Sequence, residues 1–405
     1  MTEQSSTGKP GARHRISEAV IAVLATDGLA RLTHRRVAQA AGTSLAATTY
    51  HYKSKRDMID DASARLLREY IEAFEALSGQ YRSGQRAYRG IEDLVFRLIR
   101  NVATRERRNS HAWGEIIIDA ARTEEGRELA RGWFDRLLAC WKDMLSVGGE
   151  ELRDSEILAA IDMVIGMIFV IHGLALSQGD VEAIWRGERD IAAIARPAPG
   201  GLAEQGELAG YTPKARATRS SIVDGAIQVL MREGAGALSY RAVAEATGVA
   251  QTAPAYYFGS IVNLLREAEI ALFRRSKQRY RDMVWAERIE PGSADQLADL
   301  TSAIFIREAT EFAPASVAHY SIWLEAARRP EFRREVAEAV VDQTVAWRRR
   351  LEHLGTVGPV DGLRLQALFI GHLVRTIACG TPAGHISRAR EEFAGAIAHG
   401  LAGNT

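Results

Sequence analysis

Cysteine is almost missing from this chain: Cys140 and Cys379 are the only two in 405 residues. They stand far apart and in no metal-ligand spacing, which excludes a disulfide framework and points to a reducing, cytoplasmic compartment. Net charge is nearly absent too, at +1 for 52 basic against 51 acidic residues. Nothing global announces a polyanionic partner, so any surface for nucleic acid must be a local patch. Long apolar runs are lacking: the longest, Met163 to Ile171, is closed by Asp162 and His172. A bilayer span needs about 20 such residues, so this run is expected as a buried helix, with no membrane partner. The first ten residues are polar, unlike a secretory signal. No acidic triad, His-x-x-x-His pair or phosphate-binding glycine loop occurs, so no catalytic residue, metal or cofactor is expected.

What is present is an internal repeat. The chain is too long for one hydrophobic core, and two or three domains are the natural expectation. Sliding the sequence by 206 residues aligns Arg15–Ile59 with Ser221–Leu265 without a gap, giving 14 identities in 45 positions. Among them are Gly28/Gly234, Arg35/Arg241, Gly42/Gly248, Tyr50/Tyr256 and Ser54/Ser260. The same offset returns downstream in Ala120-Ala121-Arg122 against Ala326-Ala327-Arg328, and in Trp141 against Trp347. Register held over more than a hundred residues is the mark of a duplicated domain. Between the copies, Arg196 to Pro213 is rich in Pro and Gly and has almost no apolar periodicity, as a linker would.

Apolar spacing near 3.6 dominates both copies, and no alternating strand pattern stands out, so the fold class is all-α. Thr33 and Ser44 occupy N-cap positions of two short helices separated by Gly42, with a long helix following Lys55 and Arg56. Further helices are expected near 85–105, 110–122, 124–146, 154–177 and 180–195, with the plan repeated from 218 to 402. A short helix, a glycine turn and a second short helix form a helix-turn-helix. Its second helix must present a small face to a major groove about 12 Å wide. Leu45, Ala46, Ala47, Thr48 and Thr49 meet that demand.

The run Gly42 to Lys55, G-T-S-L-A-A-T-T-Y-H-Y-K-S-K, resembles the TetR family pattern in which Gly-Val-Ser leads to Tyr-His-Phe-x-Ser-Lys. Gly248 to Ile261, G-V-A-Q-T-A-P-A-Y-Y-F-G-S-I, is a looser match. The resemblance implies two tandem TetR-like domains, each a three-helix head followed by a helical bundle that binds an effector and dimerises. The expected boundaries are 1–56 for the first head, 57–195 for its bundle and 196–214 for the linker. The second head would occupy 215–262 and its bundle 263–405. By the same resemblance Thr33, Ser44, Tyr50, His51 and Lys55 touch phosphates, while Leu45, Ala46, Thr48 and Thr49 face bases. Arg35 joins the first DNA-binding set, and Ser239, Gln251, Thr252, Tyr256 and Tyr257 make up the second. The plain reading of Thr33 and Ser44 is helix capping alone, and that of Tyr52 is packing.

The heads differ. Residues 1–60 hold nine Lys/Arg against five Asp/Glu, and 207–266 hold six against four. Lys53 and Lys55 become Gly259 and Ile261, and Pro254 requires its helix to begin near Thr252. The second head is therefore expected to bind DNA more weakly or to read a different half-site, with Gln251 able to pair with adenine.

The family usually dimerises through the last two helices of each subunit, which here makes an intrachain pseudodimer of 154–177 and 180–195 with about 360–379 and 384–402. Gly166, Gly173, Ala175, Gly371, Ala378 and Gly395 would permit close approach, and further homodimerisation stays open. Candidate effector-binding residues are His111, Trp113, Met167 and His172 in the first copy, and His319, Trp323 and His372 in the second. Such stripes are more often plain core, and the effector is unidentified. The chain is thus expected to be a DNA-binding repressor released by a small molecule. The competing reading is a ligand-binding or scaffold protein whose heads no longer touch DNA. An enzyme built on Glu115, Asp119, His172 or Glu325 has no supporting spacing.

Overall fold

Local signals in the sequence translate directly into helix boundaries. The computed structural model describes residues 11–149, 151–195, 211–286, 291–355 and 357–402, and every regular element among them is helical. The first half runs α1 (Ala12–Asp27), α2 (His34–Ala40), α3 (Leu45–His51), α4 (Lys55–Arg82) and α5 (Ile91–Val102). It continues with α6 (Arg107–Ala120), α7 (Glu124–Val147), α8 (Asp154–Leu174), α9 (Gln178–Trp185) and α10 (Ile191–Ile194). The second half runs α11 (Pro213–Glu233), α12 (Tyr240–Thr247), α13 (Ala253–Phe258), α14 (Ile261–Ala286) and α15 (Ala294–Thr310). It ends with α16 (Ala313–Arg328), α17 (Arg333–Glu352), α18 (Asp361–Ala378) and α19 (Ala383–Ala402). Most of the expected linker, 196–210, lies outside the described residues. Its last residues open α11, where Thr212 caps the helix and Pro213 takes the first turn.

Capping explains the head boundaries. Thr33, Ser44 and Ser54 accept hydrogen bonds from the backbone N–H of Arg36, Ala47 and Asp57, which starts α2, α3 and α4. At α4 the Asp57 carboxylate reaches back to Ser54 N, completing a capping box. Gly28 and Gly234 close α1 and α11 with φ of 80° and 83°, a conformation that side chains resist.

One expected element is broken. Residues 180–195 do not form a single helix: α9 stops at Trp185, Gly187 takes φ of 69°, and only the short α10 follows. The segment Arg186-Gly187-Glu188-Arg189-Asp190 has no apolar side chain to bury. The expected symmetric four-helix bundle is therefore lopsided. Helix α19 packs on α15, α18 and α8, whereas α9 packs on α5.

The two halves meet chiefly through α8 and α18. Helix α8 is long and apolar enough to cross a membrane by composition, and most of it is buried inside the protein. At the crossing a Cβ on Gly166 would lie 1.8 Å from Ala367 O, and one on Gly371 1.8 Å from Asp162 O. Only glycine lets the two backbones touch. Beside this point Asp162 takes two bonds of 2.7 Å each from Arg375 Nε and Nη2, with both side chains buried. Glu392 Oε2 lies 3.5 Å from Arg375 and 3.2 Å from His372 Nε2, and burial pushes its carboxyl up to about 7. Asp162, His372 and Glu392 bring metal-ligand atoms within 4.8 Å of one another. The Arg375 guanidinium already supplies the positive charge there.

A second contact joins the heads. The turns Leu29–Arg31 and Ala235–Ala237 pack together, and a Cβ on Gly236 would lie 3.5 Å from Ala30 Cα. Arg122 Nη1 donates to Leu230 O (3.1 Å) and Met231 O (2.9 Å), satisfying the last turn of α11. Its counterpart Arg328 sits against Gly28 and binds Glu115 (2.6 Å) and Glu325 (2.8 Å), so these carboxylates are tied into the interface.

Candidate nucleic-acid interface and effector cavity

On a seven-residue helix one face must pack while the other stays open, and α3 divides accordingly. Ser44, Leu45, Ala46, Thr49 and Tyr50 are exposed, with Leu45 at 51% and Tyr50 at 84%. Thr33 and Arg35 are exposed as well, and Arg35 makes no ion pair among the described residues. The hydroxyls of Thr33 and Ser44 cap their helices, and their protons remain free to donate. His51 is half-buried with its ring edge-on to Tyr50 at 5.2 Å.

Two residues depart from expectation. Thr48, expected to face bases, is fully buried: its hydroxyl donates to Leu45 O at 2.8 Å and lies 3.4 Å from His34 O. It forms the packing face of α3 against α2. Lys55, expected on phosphate, turns its ammonium inward to Leu29 O at 2.7 Å. Burial lowers its pKa, and Asp119 and Glu115 partly offset that. The residue as a whole stays exposed, while its ammonium is bonded to the body of the protein. Lys53, which stays exposed, is the better placed cation. Tyr52 and Phe258 are buried, as packing residues should be, and Tyr52 Oη donates to Asp61 at 2.8 Å.

In the second head Ser239 caps α12 through Ala242 N. No residue at the Ser44 position can do the same for α13, because Ala250 stands there, and the helix starts later with Pro254 in its first turn. Gln251 and Thr252 therefore lie exposed in the turn before α13 rather than on it. Tyr256 is 82% exposed, matching Tyr50, while Tyr257 is half-buried with its ring 6.0 Å from Tyr211. Arg241, the counterpart of Arg35, is held by Glu245 at 2.8 Å.

Of the effector candidates only Trp113 lines the large apolar cavity of the first half, of about 220 Å³. Tyr70, Phe74, Trp133 and Trp141 line it with Trp113, a cluster whose convergence no linear spacing announces. His111 instead bridges elements, with Nδ1 2.8 Å from Ala25 O and Nε2 3.1 Å from Leu324 O. His172 lies against it, tilted, with ring centres 4.7 Å apart, and pairs with Ser110, and Met167 is buried in α8. His372 belongs to the interface cluster described above. His319 accepts from Trp323 Nε1 at 3.0 Å and stacks on Phe273. These are packing contacts.

Burial pulls His319 down to about 3. The unfolded chain then binds a proton at this position between about pH 3 and 6.5 that the folded chain does not. Stability from His319 is present above that window and lost as pH falls through it. Replacing His319 by Phe should flatten the pH dependence of urea unfolding there by up to about 1.4 kcal/mol per pH unit. An unchanged slope would show that the imidazole is charged in the fold. Burial likewise pushes the thiols of Cys140 and Cys379 up, to about 11 and about 12, so both stay protonated.

Comparison with known proteins places family features on the second half. Residues 222–268 match the family model described as bacterial regulatory proteins, tetR family. Residues 292–401 match that of the tetracyclin repressor-like C-terminal domain. No curated protein matches the chain. The first match covers α12 and α13, in the head expected from the sequence to bind more weakly or to read a different half-site. With a helix-turn-helix head and a helical C-terminal domain following in family order, the second half of the chain carries the paired domains of the TetR family of DNA-binding transcriptional regulators.

Proposed function

We propose that the chain is a duplicated, single-chain regulator whose halves pair as an intrachain pseudodimer and set both heads on one operator. The observation that carries this reading is the reciprocity of the contacts between halves. Gly166 meets Ala367 and Gly371 meets Asp162, and both members of each equivalent pair are 205 residues apart. Gly28 meets Arg328 and Gly234 meets Arg122, here 206 apart. Such exchange of partners is what a two-fold axis requires. The Asp162–Arg375 pair has no mirror image, since the counterpart positions hold Ala367 and Val170. A half paired with its own copy would bury one charge without the other, so unlike halves are favoured. Light scattering at micromolar concentration should give 44.4 kDa, and a stable species of twice that mass would count against a self-sufficient chain.

Both heads contact DNA in this reading, supported by the family match on the second and by the equal exposure of Tyr50 and Tyr256. Tyr50→Ala and Tyr256→Ala should each weaken operator binding about tenfold in a gel-shift titration, equivalent to about 1.4 kcal/mol. Unchanged binding in both variants would leave the scaffold reading in its place. The recognition faces differ, Leu45 to Thr49 against Gln251 to Ala255, so selection from genomic DNA should return unlike half-sites about one helical turn, or a multiple, apart. A perfect palindrome would contradict this. Repression follows from promoter occupancy in the cytoplasm, without enzymatic chemistry. Release follows from a small apolar effector in the first-half cavity.

A further inference from the structure

The two halves keep register where an effector would sit: α4 and α14 begin 206 residues apart, at Lys55 and Ile261, and so do α6 and α16, at Arg107 and Ala313. At three positions that line the apolar cavity of the first half, the second half then carries a polar residue. Ala73 is replaced by Arg279, Val102 by Glu308 and Trp113 by His319. Arg279 Nε and Nη2 donate to the two Glu308 oxygens at 2.9 and 3.0 Å, and Ser316 Oγ donates to the same carboxylate at 2.5 Å. Glu308 is fully buried, and the Arg279 guanidinium lies 4.6 Å from the Phe312 ring centre. This ion pair stands at the positions that line open space in the other half.

The open cavity has one more mark of a ligand. Trp133 Nε1 donates to Ser63 at 3.0 Å, but the buried Nε1 of Trp113 has no partner among the described residues. A buried donor left alone is unfavourable, and an acceptor oxygen on a bound molecule would relieve it. We propose that the chain takes one effector per molecule, a flat, largely apolar aromatic compound carrying a carbonyl or ether oxygen, in the first half only, while Arg279 and Glu308 close the second half from within. This rests on the effector reading above and adds its stoichiometry and ligand class.

The probe is prodan, a neutral naphthyl ketone whose emission reports an apolar site. Titration of the full chain should give one prodan per chain, and Trp113→Phe should weaken it about fivefold without changing that number. Carrying the plug across, Ala73→Arg with Val102→Glu, should abolish binding. Removing it, Arg279→Ala with Glu308→Val, should give two per chain. Two sites in the unaltered chain, none at all, or full binding in a folded plug-transplanted variant would overturn the proposal. Prodan bound once per chain without release of DNA would uphold the single site and remove the effector role, so the two readings fail separately.

Discussion

Arg375→Met is expected to destabilise the chain by about 3–5 kcal/mol in urea denaturation, because it strands the Asp162 carboxylate in the interface. Both carboxylate oxygens now accept from Arg375 at 2.7 Å, and no water-facing route remains for either group. Taking the charge away as well should restore most of the loss: Asp162→Leu with Arg375→Met replaces an ion pair by apolar volume, a change that is often neutral. The fold already contains that outcome, because the equivalent positions, Ala367 and Val170, are apolar and pack on the same helices. If the single variant unfolds at the same urea concentration as the parent, the pair is not buried in solution, and the argument for unlike halves falls with it. A double variant as unstable as the single one would instead show that shape, and not charge, sustains this end of the crossing.

How much of this the sequence disclosed depends on the range of the interactions involved. Helix caps are local, and Thr33, Ser44 and Ser239 do what their positions announce. The late start of α13 followed from Pro254 alone, which tolerates only the first turn. Thr48 misled because threonine serves either face of a helix, and only the packing of α2 on α3 decides which. Lys55 misled because its partner, the Leu29 carbonyl, comes from a turn 26 residues earlier. The break at Gly187 had a visible signal, a charged run around a glycine, which the apolar residues on either side outweighed. Arg122 and Arg328 were seen as markers of register and not as the residues that grip the opposite head. The cavity and its plug needed the fold: Ala73 and Val102 lie on different helices, and their replacement by Arg279 and Glu308 means nothing until those helices face each other.

Gly166→Ala and Gly371→Ala should each cost at least about 3 kcal/mol, the upper end of ordinary overpacking, although each adds a single methyl group. The reason is what that methyl meets. A Cβ at either position would lie 1.8 Å from a backbone oxygen of the opposite helix, and a main-chain carbonyl cannot rotate aside as a side chain can. The helices must separate, and separation uncovers buried side chains along both of them, including Phe169, Ile370 and Val374. Because one displacement relieves both clashes, the double variant should lose clearly less than the two single losses together. Gly395→Ala supplies the contrast. That glycine is exposed on α19 with nothing within 4 Å of its would-be Cβ, so alanine there should stabilise by about 0.5–1 kcal/mol through helix propensity alone. Thermal or urea unfolding of the four variants decides the matter. Losses near zero in both single variants would mean that α8 and α18 do not touch at these residues, and the proposed pseudodimer would lose the contact on which its reciprocity rests.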